Sequence, residues 1–406
     1  MTATAAAKPR TMASAWKSPA ATYYLLAASA GILLIVGLAS VLSSSSIESL
    51  KATDGNPYKL FFIQLAAFTV GLIALVIGSR LPVIAWKRLA PWVLYSSIGL
   101  LLVVAAAGMT LNGNRNWIKV GLVTFQPSEV AKLGLALYLG VVLARFRKHL
   151  TTWKQIFVPG GIMSAIVIGL VLYGHDMGTA IVLVVIVVAA YWIAGLPLRF
   201  FVMAGIVGLI GVLALVAQGE TRTARIETWL NPANCDIQDA CMQSTHALWA
   251  LASGGVWGLG PGMSREKWGG GLPVADSDMI FGIIGEEFGL IGTLLVLFAF
   301  GMMIVAVNRI VHRSRDPFVQ IAGGAIGAWI IGQACINIAV VVGLLPVTGL
   351  PLPLVSSGGS SLIASMTAIG VLMAFARAEP GAAEAFAARP SVVRRSLTVL
   401  SGGRRG

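Results

Sequence analysis

The 406 residues are 57% hydrophobic and only 11% charged, with a mean hydropathy of +0.85 and a formal net charge of +13. Water-soluble domains are about 45–50% apolar and about 25% charged, so no soluble core could hide this much apolar side chain. The chain is an integral membrane protein, and what its basic surplus faces depends on where the charges lie.

Residues 1–20 are rich in Ala, Ser, Lys and Arg, have no apolar helical face, and are expected to form a disordered tail. Ten apolar stretches follow, near 21–43, 60–78, 89–110, 126–144, 156–174, 177–195, 199–218, 288–308, 318–342 and 357–376. Crossing about 30 Å of hydrocarbon takes roughly 17–25 helical residues, so each can span. In lipid every backbone polar group must be paired, which leaves helices or a closed barrel. Unbroken runs such as Ile181 to Ala190 lack the alternation of barrel strands. The expected fold is therefore an all-α polytopic membrane domain over 21–376 with about ten transmembrane helices. The first stretch is too long for the apolar region of a cleaved signal and is expected to remain as an anchor. Residues 377–406 form a second basic tail.

With the N-terminus placed inside, 20 of the 29 Lys and Arg residues fall on that side, 8 on the other, and Lys132 within a span, while 11 of the 16 acids fall outside. The positive-inside rule then puts both termini in the cytoplasm. The basic surplus faces anionic lipid headgroups, and nucleic acid is not an expected partner.

Two outward segments stand apart. Residues 219–287, between the seventh and eighth spans, form a long insertion carrying nine of the outer acids, and loops of that length are often functional. Within it Cys235 and Cys241 could form a disulfide in an oxidising exterior or remain two free thiols. Cys335, in the ninth span, reads as a small packing residue. The second segment, Gly343 to Ser361, is uncharged and interrupted by Pro346, Pro351 and Pro353, so it cannot be a continuous helix. Irregular backbone near a membrane is tolerated where protein buries it or where it lines a wet cavity. Together they flank an expected extracytoplasmic site. No phosphate-binding loop, zinc helix or nucleophile elbow is present in the sequence. The Gly258, Gly260, Gly262 turn reads as a flexible loop end.

Ionisable residues at membrane depth point to function. Glu129 and Lys132 share a helix face at i, i+3; they can orient the start of the fourth span or floor a cavity in which Lys132 meets a phosphate. Asp176 reads as the N-cap of the sixth span. Asp278 lies at a polar-to-apolar transition ahead of Gly285-Glu286-Glu287. It can cap a helix, remove a proton from a hydroxyl, or bind a divalent metal.

Several segments, in order, resemble one family. They are Gln126-Pro127-Ser128-Glu129-Val130-Ala131-Lys132, Ser253-Gly254-Gly255, Gly258-Leu259-Gly260, Asp278-Met279-Ile280-Phe281, Ile284-Gly285-Glu286-Glu287, Ile336-Asn337, and Gly343-Leu344-Leu345-Pro346 through Ser356-Ser357-Gly358-Gly359-Ser360-Ser361. The chain resembles the SEDS proteins (shape, elongation, division and sporulation). The resemblance implies a peptidoglycan glycosyltransferase that polymerises lipid II at the outer face of the cytoplasmic membrane. It implies Asp278 as the catalytic aspartate, aided by a divalent cation, Mg or Mn, that Asp276 could help to hold. It further implies substrate contacts at Lys132, Glu129, Arg115, Ser356, Ser357, Gly358 and Gly359. Ser264-Arg265-Glu266-Lys267-Trp268 and the Cys235/Cys241 loop look like the actinobacterial division branch, implying a class B penicillin-binding protein and other divisome membrane proteins as partners at the septum. A lipid II flippase and an elongation-branch polymerase are the alternative readings.

Overall fold

In the computed structural model the described residues are 18–52, 56–111, 114–120, 123–146, 157–217, 229–230, 241–268, 272 and 275–387. Cys235, most of the 219–240 stretch and the distal parts of both tails lie outside them. The chain runs as α1 (Ala20–Ala52), α2 (Lys59–Arg80), α3 (Val83–Ala107), β1 (Met109–Leu111), β2 (Asn114–Val120), β3 (Val123–Phe125), α4 (Pro127–Phe146) and a π turn at Phe157–Gly161 that leads into α5 (Ile162–Tyr173). It continues as α6 (Met177–Ala194), α7 (Leu198–Ala217), α8 (Met242–Gly254), α9 (Ile280–Arg313), α10 (Pro317–Val341), α11 (Gly359–Arg377) and α12 (Ala382–Ala387).

Helices occupy all ten apolar stretches, and among the described residues seven are long and apolar enough to cross a membrane by themselves: α1, α2, α3, α6, α9, α10 and α11. Their ends follow local chemistry. Asp316 caps α10 by accepting from the Phe318 N–H at 3.0 Å, with Pro317 as the first helical residue, where the missing N–H costs nothing. Asp176 caps α6, accepting from the Thr179 N–H at 2.9 Å, and left-handed Gly195 closes it.

α11 and α10 are the most enclosed spans. α11 packs against α2, α10 against α6 and α4, and α9 against α1 and α10. Ile35, Phe62, Ile77, Trp92 and Phe298 are exposed on the outer faces. Their burial comes from hydrocarbon rather than from protein, which is why the composition overshoots that of soluble domains.

Four features depart from the sequence reading. Residues 109–125 form a three-stranded antiparallel sheet, with Thr110 opposite Arg115 and Lys119 opposite Thr124. The 219–287 insertion contains α8 and the beginning of α9, whose first turn starts at Ile280 rather than near 288. Residues 382–387 of the expected tail are helical, because Phe386 packs edge-on against Tyr23 with ring centroids 5.4 Å apart. Cys335 is a free thiol on an exposed face, not a packing residue.

Candidate functional site

At one end of the bundle, residues 343–358 run as irregular chain, and its 350–356 part lies inside the protein: Leu350, Leu352, Leu354, Val355 and Ser356 are all buried. Its backbone groups cannot reach water, so they need partners, and side-chain amides and hydroxyls from distant helices supply them. From α10, Gln333 Nε2 donates to the Pro351 carbonyl at 2.8 Å, and Asn337 Nδ2 donates to the Leu350 carbonyl at 2.7 Å. From α2, Gln64 donates to the Ser356 carbonyl at 3.3 Å and accepts from the Gly358 N–H at 3.2 Å. α1 presses close enough that a side chain on Gly37 would lie 2.7 Å from the Val355 Cα.

This pinned segment cradles Asp278. Asn337 Nδ2 also donates to the Asp278 carbonyl at 2.7 Å. The Ser356 hydroxyl donates to the Ser277 carbonyl at 2.7 Å and accepts from the Leu352 N–H, and the Ser357 N–H donates to the Asp276 carbonyl at 2.8 Å. The Asp278 side chain emerges half-buried beside left-handed Gly349; a methyl group there would sit 3.7 Å from Asp278 Oδ2. Asp278 stands two residues ahead of α9, whose N-cap residue is Met279.

Beneath the segment lies a dry ionic floor. Lys132 is fully buried, donating to Glu129 Oε1 at 2.8 Å and to Gln333 Oε1 at 3.0 Å, with its ammonium 5.1 Å from the Trp329 ring centre. Trp329 Nε1 donates to the same Gln333 oxygen at 3.0 Å. Gln333 therefore couples the ion pair to Pro351, and Lys132 reaches the site through it rather than through an open cavity. Arg115 is placed elsewhere: its guanidinium closes the end of α3, donating to the carbonyls of Ala106 at 2.8 Å and Gly108 at 3.2 Å.

A third cluster holds the 255–268 loop against the start of α9. Glu286 accepts from the Ser264 hydroxyl and from the Arg265 N–H at 2.8 Å. Glu287, also buried, accepts from Lys267 Nζ at 2.9 Å, and Lys267 donates to the Ser43 hydroxyl at 2.7 Å. Here α9 breaks at Gly289 (φ 64°, ψ −159°). The 255–260 turn docks into that break, with Leu290 N–H to Gly255 and Leu259 N–H to the Glu286 carbonyl. The glycine turn that reads as a flexible end is thus a packed joint. Cys241, buried at the start of α8, is disulfide-bonded.

The carboxylates that could hold a divalent ion here are those of Asp276 and Asp278. Among the described residues no group of three or more His, Cys, Asp or Glu could hold a metal. Mg²⁺ is commonly held by one or two carboxylates together with substrate phosphates, so the donor set fits an ion shared with a diphosphate and not one caged by the protein. Asn337, Gln333 and Gln64 are the positioning residues that a search for charged groups misses. For Gln333 and Asn337 the signal is an amide at i and i+4 on an otherwise apolar span; Gln64 is a single amide within α2.

A family of cell cycle proteins, FtsW/RodA/SpoVE, matches residues 23–380. The probable peptidoglycan glycosyltransferase FtsW of Mycobacterium tuberculosis is 37% identical over 395 residues, covering 96% of this chain and 75% of that protein. The stage V sporulation protein E of Bacillus subtilis is 35% identical over 352 residues, covering 85% and 94%. Among solved structures, a chain from a peptidoglycan synthase complex that coordinates polymerization and crosslinking superposes with a TM-score of 0.71 at 24% identity, covering 88% of this chain and 97% of that one. The rod shape determining protein RodA of Thermus thermophilus superposes at 0.63 and 24% identity, covering 89% and 97%.

Proposed function

The chain belongs to the FtsW/RodA/SpoVE family of cell cycle proteins, a multi-pass membrane peptidoglycan glycosyltransferase of cell division, and we propose that it polymerises lipid II with Asp278 as the general base. The observation that carries this reading is the pinning of Asp278. Its carboxylate stands half-buried at the edge of an otherwise buried segment while Asn337 and Ser356 fix the backbone on either side.

In the proposed reaction Asp278 takes the proton from the acceptor sugar hydroxyl. The hydroxyl oxygen bonds to the donor's anomeric carbon as the bond to undecaprenyl diphosphate breaks. The diphosphate carries the negative charge away. Asp278, with Asp276, would hold a divalent cation against that diphosphate and neutralise developing charge. Ser357 and Gly358 lead into α11 at Gly359, and its N-terminus carries no side-chain cap; the first-turn N–H groups of a helix suit an anionic group. Glu129 and Lys132 act from beneath, by setting Gln333. The chain crosses the cytoplasmic membrane ten times with both termini inside, works at the outer face of the septal membrane, and is partnered by a class B penicillin-binding protein that supplies crosslinking.

The test is polymerisation of labelled lipid II by the purified chain, alone and with a class B partner, with and without chelator. Loss of a general base costs about 10²–10⁴ in rate. An Asp278→Asn variant that still built strands at wild-type rate would overturn the assignment. No strands from the wild type, but lipid II scrambling in liposomes, would support a transporter instead.

A further inference from the structure

At the end of the bundle opposite Asp278, the last residues of α9 and α11 meet the first of α1. Arg377 donates to the Ser79 carbonyl at 3.1 Å, and Lys87 pairs with Asp316 at 2.6 Å, so basic side chains gather there. Among them lies a cavity of about 360 Å³ lined by Pro19, Arg313, Arg315, Glu379 and Pro380. Its walls are fixed by the turn at left-handed Gly381 and by α12, whose Phe386 packs edge-on against Tyr23 and tilted against Tyr24 of α1.

Glu379 is the unusual member. It is 4% exposed, and neither carboxylate oxygen meets a partner at full hydrogen-bond geometry; the Thr22 hydroxyl is the neutral group that approaches it. The nearest cation, Arg313 Nη1, stands 3.9 Å away, beyond hydrogen-bond reach. Arg315 is exposed at the rim and Arg309 lies behind. One buried carboxylate therefore shares the cavity with two guanidinium groups, those of Arg313 and Arg315. A purely anionic ligand would leave the carboxylate unsatisfied, and a purely cationic one would meet the arginines. A ligand with an ammonium a few bonds from a phosphate satisfies both.

We propose that this cavity binds the headgroup of a phosphatidylethanolamine-type lipid of the cytoplasmic leaflet. Glu379 accepts from the primary ammonium, Arg313 and Arg315 donate to the phosphate, and the acyl chains lie along the lipid-facing helices. The position at the membrane-facing basic end favours a lipid over a soluble amine phosphate. A choline headgroup cannot replace it, because a quaternary ammonium has no N–H to donate.

The experiment is native mass spectrometry of the full chain released from nanodiscs holding equal ethanolamine, choline and glycerol phospholipids, with soluble glycerophosphoethanolamine as competitor in a parallel arm. Retention of the ethanolamine lipid about tenfold above the choline lipid is expected, the size of one charge-assisted hydrogen bond. In Glu379→Gln that preference is expected to vanish while total lipid retention stays. In Arg315→Gln, at an exposed position, retention of both lipids is expected to fall. Equal retention by the wild type, a preference surviving in Glu379→Gln, or unchanged retention in Arg315→Gln would overturn the proposal. Displacement of the lipid by millimolar glycerophosphoethanolamine would overturn the choice of a lipid over a soluble ligand. If Glu379→Gln does not yield folded protein, the wild-type preference and the Arg315 arm still decide.

Discussion

Asn337 Nδ2 donates at 2.7 Å to the carbonyl of Asp278, 59 positions away in sequence, and at 2.7 Å to the carbonyl of Leu350. One amide group thus holds the proposed base and the irregular segment beside it in fixed register. An Asn337→Ala variant leaves both carbonyls unpaired at a buried site, about 1–3 kcal/mol each. Displacing a reacting group by about 1 Å costs on the order of 10²-fold in rate. We therefore expect polymerisation to fall about 100-fold, with a melting temperature clearly below wild type. Asp278→Asn should lose activity while melting near wild type. Normal strand synthesis by Asn337→Ala would show that the backbone of Asp278 needs no such tie.

The floor predicts a non-additive pair. Lys132 and Glu129 are both buried and 2.8 Å apart, so removing one leaves an uncompensated charge in a dry site, about 3–5 kcal/mol. Lys132→Met is expected to destabilise by that amount. Lys132→Met with Glu129→Gln should recover most of it in thermal melting, though the link to Gln333 stays broken. Additive losses across the four proteins of this cycle would mean that the two charges are not coupled.

What could be read in the sequence follows from how far each signal reaches. Hydropathy is local and strong, so helices occupy every apolar stretch, and Asp176 caps as its position suggests. Asp278 stood out because a carboxylate beside an apolar run is locally odd. The sheet at 109–125 was missed because its strands are three to seven residues long and too short to show periodicity. The start of α9 was set too late because Glu286 and Glu287 look like loop residues. Their partners, Ser264, Lys267 and Ser43, are brought in only by the tertiary fold. Gln64 and Gln333 were passed over, and Asn337 was noted only within a motif, because neutral amides carry no charge to flag them, although a buried irregular segment needs such donors.

The joint at Gly289 predicts intolerance of small changes. A Cβ on Gly258 would overlap the Glu287 carbonyl, and one on Gly289 would overlap the Gly258 amide; both residues have positive φ, 81° and 64°. A side chain forced into such a conformation costs about 1–3 kcal/mol before any overlap is counted. Gly258→Ala and Gly289→Ala should each reduce the yield of monodisperse protein and strand synthesis. Gly99→Ala, with nothing within 4 Å of the new methyl, should do neither. If the Gly258 variant purified and polymerised normally, the loop would not be locked to α9 as the hydrogen bonds indicate.

Glu379 gives a pH dependence opposite to that of most carboxylates. Burial raises its pKa above the ordinary 4.5, outweighing the opposing influence of the Thr22 hydroxyl, Arg313 and Arg309. A carboxyl with a folded pKa above its unfolded one binds more protons when folded, so stability is lost as pH rises between those two values and is level above them. Glu379→Gln removes this dependence. The difference in melting temperature between wild type and Glu379→Gln, measured in detergent without ethanolamine lipid, should therefore move against the wild type as pH rises from 4.5 toward neutral. Other carboxylates titrate alike in both proteins and cancel. Adding the ethanolamine lipid supplies an ammonium partner, favours the ionised form and should flatten the trend. A difference that is constant with pH, or that moves in favour of the wild type, would show that the carboxylate is already solvated or paired in the folded protein.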